Sequence, residues 1–228
     1  MKNQSVPDKR SLLDYANVSK GLFTARKTFI KRLVRSMRSV IVRLLLLLYG
    51  SNHGLNANSY AYNSGQFKEL IQCLFFQKII RINSHVPWPV HYTSRVGNPK
   101  NIYFDKRYVR NFMAAGCYWQ LMSPIHFKGS FLVAQHVSFI SNNHDSHSIG
   151  SHDIDVKPII IGDNCLFSIG CVVLPGVELG ENTVVAANSV VTKSFPEGNC
   201  VLAGVPARIV NKLVPSKIKK GTYKEFWG

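Results

Sequence analysis

Acid is scarce in this 228-residue chain: twelve Asp and Glu face twenty-eight Lys and Arg, a formal charge of +16. That imbalance predicts attraction to something anionic, such as a phosphate-rich cofactor, acidic lipid head groups, acidic glycans or nucleic acid. Cysteine is sparse as well. Cys73, Cys117, Cys165, Cys171 and Cys200 are odd in number and show no CxxC spacing, which argues against a zinc site or a redox pair and for a reducing cytoplasm. Long apolar runs are also missing. The stretch that ends in Leu44 to Leu48 falls short of the roughly 20 residues a bilayer crossing needs, and no small-residue cleavage site follows it, so secretion is not expected. What is present, 46% hydrophobic residues, can bury one sizeable core and a smaller appendage.

Four segments follow from the pattern. Residues 1–25 are polar and aperiodic, expected to be mobile or loosely docked. Residues 26–100 read as a helical region with a linker and an extended lead-in. Residues 101–210 form the main domain, and 211–228 a basic tail. From Arg26 to Tyr49, apolar residues at Phe29, Ile30, Leu33, Val34, Met37, Val40, Ile41, Leu44, Leu45 and Leu48 mark one face of a helix, with cations flanking it and no acid among them. Such a helix suits the cytoplasmic face of a membrane or a seat on the main domain. Asn52 to Gly65 reads as a linker. A second helix is expected with Phe67, Leu70, Ile71, Leu74, Phe75 and Ile79 on its apolar side, and Pro87, Pro89 and Pro99 then keep the chain extended.

The main domain carries a period of six. Bulky residues recur at Ile161, Phe167, Val173, Leu179, Val185 and Val191, and four places after each stand Cys165, Cys171, Val177, Thr183, Ser189 and Phe195. Gly or Ala follows the bulky residue at Gly162, Gly180 and Ala186. A period of six fits neither an α-helix nor a lone hairpin; it fits a triangular coil whose short strands form the sides, with three sixes to a turn. The same phase appears at Phe127, Val133 and Phe139, with Phe131, Val137 and Asn143 as partners, and faintly at Tyr103, Val109, Ala115 and Leu121. It breaks between Phe139 and Ile161, a gap that is not a multiple of six. Roughly Asp145 to Pro158 must therefore leave the coil as an extruded loop, where chemistry tends to gather.

The words SFISNNHD (Ser138 to Asp145) and IIIGDNCLFSIGCVVLPGVELGENTVVAANSVVTKSFPEGNCVLAGVPARIV (Ile159 to Val210) resemble the hexapeptide-repeat O-acetyltransferases, over about half the chain. The upstream words NPKNIYFD, GCYWQ and VPWPVH are most similar to the members that modify bacterial surface polysaccharides. The resemblance implies a mainly β fold, a left-handed parallel β-helix solenoid, an exception to the right-handed crossover rule. It also implies a homotrimer with active sites between subunits, and acetyl-CoA as donor.

The chemistry sharpens the site. A sugar hydroxyl is a poor nucleophile at neutral pH, so attack on a thioester needs a base that titrates near the working pH, and histidine is the natural choice. His144 stands where the coil opens and matches the family's catalytic histidine. Asn142, Asn143 and Asp145 are candidates to orient its ring or to bind the acceptor. His147 and His152 share the loop, as substrate contacts or as solvated residues. His53, His85, His91, His126 and His136 are read as structural or surface residues. By motif position the resemblance assigns Ser168, Ala186 and Ala187 to the pantetheine arm, and Thr192, Lys193 and Arg208 to the nucleotide and phosphates. Leu166 stands where the family often has Trp, and Asn211 where it has a second Arg, with Lys212 the candidate replacement. No metal site is expected, since the loop histidines lie on one segment rather than on adjacent coils.

The reading is therefore an acetyltransferase acting on a sugar hydroxyl of a surface polysaccharide or its lipid-linked precursor. It is placed in the cytoplasm at the inner membrane face, with peripheral membrane contact through residues 26–49 and no nucleic-acid partner. The alternatives are an acetyltransferase for a small diffusible acceptor, a free sugar or an antibiotic, and a noncatalytic membrane-associated or nucleic-acid-binding scaffold.

Overall fold

The repeat predicted from spacing becomes three parallel sheets in a computed structural model that describes residues 9–49, 64–145, 148–152 and 157–218. The first sheet holds β2 (Ile102–Tyr103), β4 (Ile125–Phe127), β9 (Ile159–Ile161) and β12 (Glu178–Leu179). The second holds β5 (Phe131–Val133), β10 (Cys165–Phe167), β13 (Thr183–Val185) and β15 (Cys200–Ala203), with β16 (Arg208–Lys212) antiparallel at its edge. The third holds β1 (Arg95–Val96), β3 (Tyr118–Trp119), β6 (Ser138–Phe139), β11 (Val172–Val173) and β14 (Val190–Val191). From β9 to β15 the chain visits the sheets in rotation, with Phe195 bridging Leu179 for the first sheet where no strand is formed. Within that stretch the strands pair with counterparts 17 or 18 residues further on, as Leu166 does with Val184 and Val172 with Val190.

Spacing and burial agree. All six bulky residues from Ile161 to Val191 and all six partners from Cys165 to Phe195 are buried. The core they build is aromatic upstream, where Trp119 stacks on Phe139 at 4.8 Å and Phe127 on Phe131 at 4.0 Å, and aliphatic downstream. Turns between the first and second sheets take left-handed φ at Asn164, Asn182 and Asn199, which their short polar side chains tolerate. Their amides bond one to the next, Asn164 to Asn182 at 2.8 Å and Asn182 to Asn199 at 2.9 Å. Gly180 is required by close approach, because a Cβ there would meet the Pro196 carbonyl at 2.2 Å. All five cysteines are free and buried, and burial pushes the Cys165 and Cys171 thiols up to about 12, so they pack as small hydrophobes.

The faint upstream phase needs correction. Trp119 rather than Leu121 stands opposite Phe139, and Ile102 rather than Tyr103 faces inward, opposite Ile125. Tyr103 lies outside, stacked on His126. The cause is a 3-10 helix, Lys106–Met113, which replaces a strand of the second sheet and resets the count. It covers the end of that sheet with one side chain: the Asn111 amide donates to the Phe131 carbonyl at 3.1 Å and accepts from the Val133 N–H at 2.8 Å.

The first helix, α1 (Lys9–Leu46), begins well before Arg26 and runs on into a 3-10 turn at Leu47–Tyr49. Between Lys9 and Arg26 there is no proline to stop a helix, and Gly21 is the one glycine. The second helix, α2 (Ser64–Leu74), continues as a π-turn, Phe75–Ile79. Its buried face is rotated from the expected one: Gln66, Leu70, Cys73, Leu74 and Gln77 are inside, while Ile71, Phe75 and Ile79 are exposed. Gln77 explains the rotation. Its carbonyl oxygen accepts from Tyr49 Oη at 2.7 Å and from the Val90 N–H at 3.0 Å, and its amide nitrogen donates to the Trp88 carbonyl at 3.0 Å. A buried amide satisfied on both ends holds the two helices to the lead-in.

Candidate active site

Where the hexad count breaks, the chain leaves the sheets. Cys165 pairs with Phe131, 34 residues earlier, where the regular interval is 18, so sixteen residues are inserted after the third sheet's β6. The excursion opens with a two-stranded antiparallel hairpin, β7 (His144–Asp145) on β8 (Ser148–His152), with His144 opposite His152. His144 and Asn143 are exposed, Asp145 is half-buried and Asn142 is buried. His147 and residues 153–156 lie outside the described residues, as does His53.

The exit of the chain toward His144 is held from one coil above. Gln120 Oε1 accepts from both the Ser141 and the Asn142 N–H groups at 2.8 Å, and its own N–H donates to the Phe139 carbonyl at 3.1 Å. Ser141 Oγ accepts from the Met122 and Ser123 N–H groups, and the Asn142 amide reaches Ser123 Oγ at 3.3 Å. Gln120 and Ser123 thus position the backbone that carries His144. Only the GCYWQ word pointed toward Gln120.

The remaining predicted residues fall on the two edges of the third sheet. Ser168, Ala186 and Ala187 stand on the turns that enter it from the second sheet; the Ser168 and Ala186 N–H groups bond the Val185 and Leu202 carbonyls in the coil below. Thr192 and Lys193, both exposed, stand on the turn that leaves it, the same side from which the His144 hairpin departs. Lys193 Nζ lies 5.6 Å from the centre of the Phe195 ring. Arg208 opens β16, exposed, its guanidinium on the Ala207 carbonyl at 2.9 Å. One chain therefore does not gather the set at one point: His144, Thr192 and Lys193 follow one edge, and Ser168, Ala186 and Ala187 the other.

A cavity of about 450 Å³, missed in the sequence, lies at the upstream end of the second of these edges. The turn Ala134–Gln135 and residues Glu69, Gln72, His91, Arg110 and Met113 line it. Arg110 is almost wholly buried and bridges Glu69 at 3.3 Å. Burial lowers the His91 pKa, against a smaller opposing effect of Glu69. Its Nδ1 is engaged by Thr93, 2.7 Å from Oγ1 and 3.3 Å from the backbone N–H. His85 is structural, with Nε2 on the Val96 and Gly97 carbonyls. Among the described residues, no three His, Cys, Asp or Glu side chains are grouped to hold a metal.

Comparison with known proteins agrees with the repeat. The family described as bacterial transferase hexapeptide (six repeats) matches residues 158–193. A Staphylococcus aureus (strain MRSA252) protein named as an acetyltransferase is 30% identical over 155 residues, covering 66% of this chain and 73% of that protein. A Saccharomyces cerevisiae protein named as an acetyltransferase is 35% identical over 97 residues, 38% of this chain and 48% of that one. An Escherichia coli (strain K12) protein named as an acetyltransferase of colanic acid biosynthesis is 34% identical over 89 residues, 39% of this chain and 48% of that one. The chain thus spans about half the length of these last two relatives. Taken with the S. aureus match, the buried hexads and the three parallel sheets, this places the chain in the bacterial hexapeptide-repeat transferase family.

Proposed function

We propose that the chain is an O-acetyltransferase that moves an acetyl group from acetyl-CoA to a sugar hydroxyl of a surface polysaccharide or its lipid-linked precursor, with His144 as general base. In this reading the three sheets wind as a left-handed β-helix, and a homotrimer completes each site. The observation that carries it is the sixteen-residue excursion that departs at an exposed histidine, just after a backbone segment, Ser141–Asn142, tied down by Gln120. A scaffold has no use for an irregularity held so firmly at its root.

The division of the site residues between two edges supports assembly between subunits. A hairpin on one edge of one copy has to meet the other edge of a second copy for base and cofactor to share a cleft. Along that second edge, Arg208 and the Ala186–Ala187 turn lie downstream and Ser168 upstream, and the Ala134–Gln135 cavity comes next. CoA bound with its phosphates at the downstream cations directs its thioester toward the cavity. There the polar side chains of Arg110, Gln135 and His91 suit the oxygens of a sugar acceptor. His144 takes the hydroxyl proton as the oxygen attacks the thioester carbonyl. The tetrahedral intermediate then expels CoA thiolate, and the imidazolium returns the proton to the sulfur.

The test has two stages. Thermal stabilisation by CoA distinguishes the enzyme from a noncatalytic basic scaffold. CoA release is then measured with polysaccharide, lipid-linked oligosaccharide and free sugars, and surface glycans are weighed by mass spectrometry with and without the protein. No stabilisation by CoA defeats the enzyme reading. Stabilisation with turnover on free sugars alone moves the acceptor to the small diffusible class.

A further inference from the structure

The cationic first helix turns its apolar stripe away from the molecule. Ile30, Leu33, Met37, Val40, Leu44 and Leu47 are each between 48% and 72% exposed. At about 100° per residue they fall within an arc of about 100°, which Val34 and Ile41 widen to about 140°. Val42 and Leu46 lie on the opposite side of the helix and are buried, as is Tyr49 in the turn that follows. There the Gln77 hydrogen bond and Lys78, 4.4 Å above the Tyr49 ring, clamp the helix end to the body. The stripe's direction is thus fixed by packing at the far face.

Charge chooses what covers it. Between Arg26 and Leu48 there are seven Lys and Arg and no acid. On the same wheel Lys27, Lys31 and Arg38 border the stripe on one side, and Arg32 and Arg43 on the other. This is the layout of a helix lying in the plane of a membrane interface, its apolar face in the acyl boundary and its cations at head-group level. A second copy of the chain is a poorer occupant. An arc this wide exceeds the narrow seam of a coiled coil, and like copies would bring seven cations each together with no acid to pair them. Nucleic acid offers the cations partners but leaves the stripe in water. No helix among the described residues is long and apolar enough to cross a membrane, so a bilayer would hold α1 at its surface.

We propose that α1 is a docking surface for an anionic phospholipid bilayer, binding through its outward apolar stripe between two borders of cations. This role rests on α1 and its anchor and is independent of the catalytic reading. The full chain would be sedimented with vesicles of neutral phosphatidylcholine and with vesicles containing phosphatidylglycerol, at low and high salt. We expect at least tenfold stronger partitioning onto the anionic vesicles, weakened by salt. Leu33→Glu combined with Leu44→Glu should remove it, leaving thermal stabilisation by CoA unchanged. Arg32→Gln combined with Lys31→Gln should weaken the anionic preference alone. No sedimentation with anionic vesicles, or equal binding to neutral ones, overturns the proposal. So does a double Glu variant that still binds vesicles but falls to a smaller oligomer, which would make a second copy the occupant.

Discussion

The parallel sheets and the β7–β8 hairpin are parts of one chain that obey opposite rules. In the sheets, every bulky hexad residue from Ile161 to Val191 is buried, and from β9 to β15 the strands pair in parallel with counterparts 17 or 18 residues along the chain. In the hairpin, pairing is antiparallel, the interval is broken by sixteen residues, and His144 faces solvent. The sheets are stable because each coil is like its neighbours; the hairpin departs from that pattern. Regularity fixes position, and the interruption sets an exposed histidine outside the stack.

The contrast can be broken first in the sheets. Phe167 is fully buried with Phe139 at 5.0 Å and Phe127 at 6.5 Å, so Phe167→Ala should cost about 3–5 kcal/mol in denaturant unfolding. A loss under about 1 kcal/mol would mean that the aromatic column is not what holds the coils. At the root of the hairpin, Gln120→Ala frees two backbone N–H groups and should lower turnover about tenfold, or about 1.4 kcal/mol of barrier, with little change in CoA affinity. Gln120→Glu keeps the accepting oxygen and should recover most of that loss, which a merely destabilised fold would not. The smallest effect belongs to the far end of the site. Lys193→Ala should weaken CoA binding about fivefold, about 1 kcal/mol, and leave turnover at saturating cofactor near wild type. A large fall in turnover with unchanged CoA affinity would remove Lys193 from the phosphate role.

What could be read from the sequence follows the same division. The hexad positions were legible because burial repeats with the strand, and the site of the excursion was legible because an insertion breaks the count. Asn111 and Gln120 were not. Each satisfies backbone groups about twenty residues away in a neighbouring coil, and a single amide leaves no period in the sequence. The upstream frame was misread by up to two residues because the Lys106–Met113 3-10 helix does not advance the chain as a strand does. The start of α1 lies in a segment with no apolar period, so spacing could not mark it. The cavity at Arg110 and His91 joins α2, the lead-in and the first turns, which only the fold brings together.

The central claim is that the interruption, rather than the stack, carries the chemistry. The most direct measurement is acetyl transfer by His144→Ala at saturating acetyl-CoA and acceptor, with the melting temperature and CoA affinity taken on the same protein. Turnover should fall by roughly 10² to 10⁴, the usual worth of a positioned base, while stability and CoA affinity stay near wild type. His147→Ala and His152→Ala should each cost much less. A His144→Ala protein that keeps most of its activity, while either other variant loses it, would contradict the assignment.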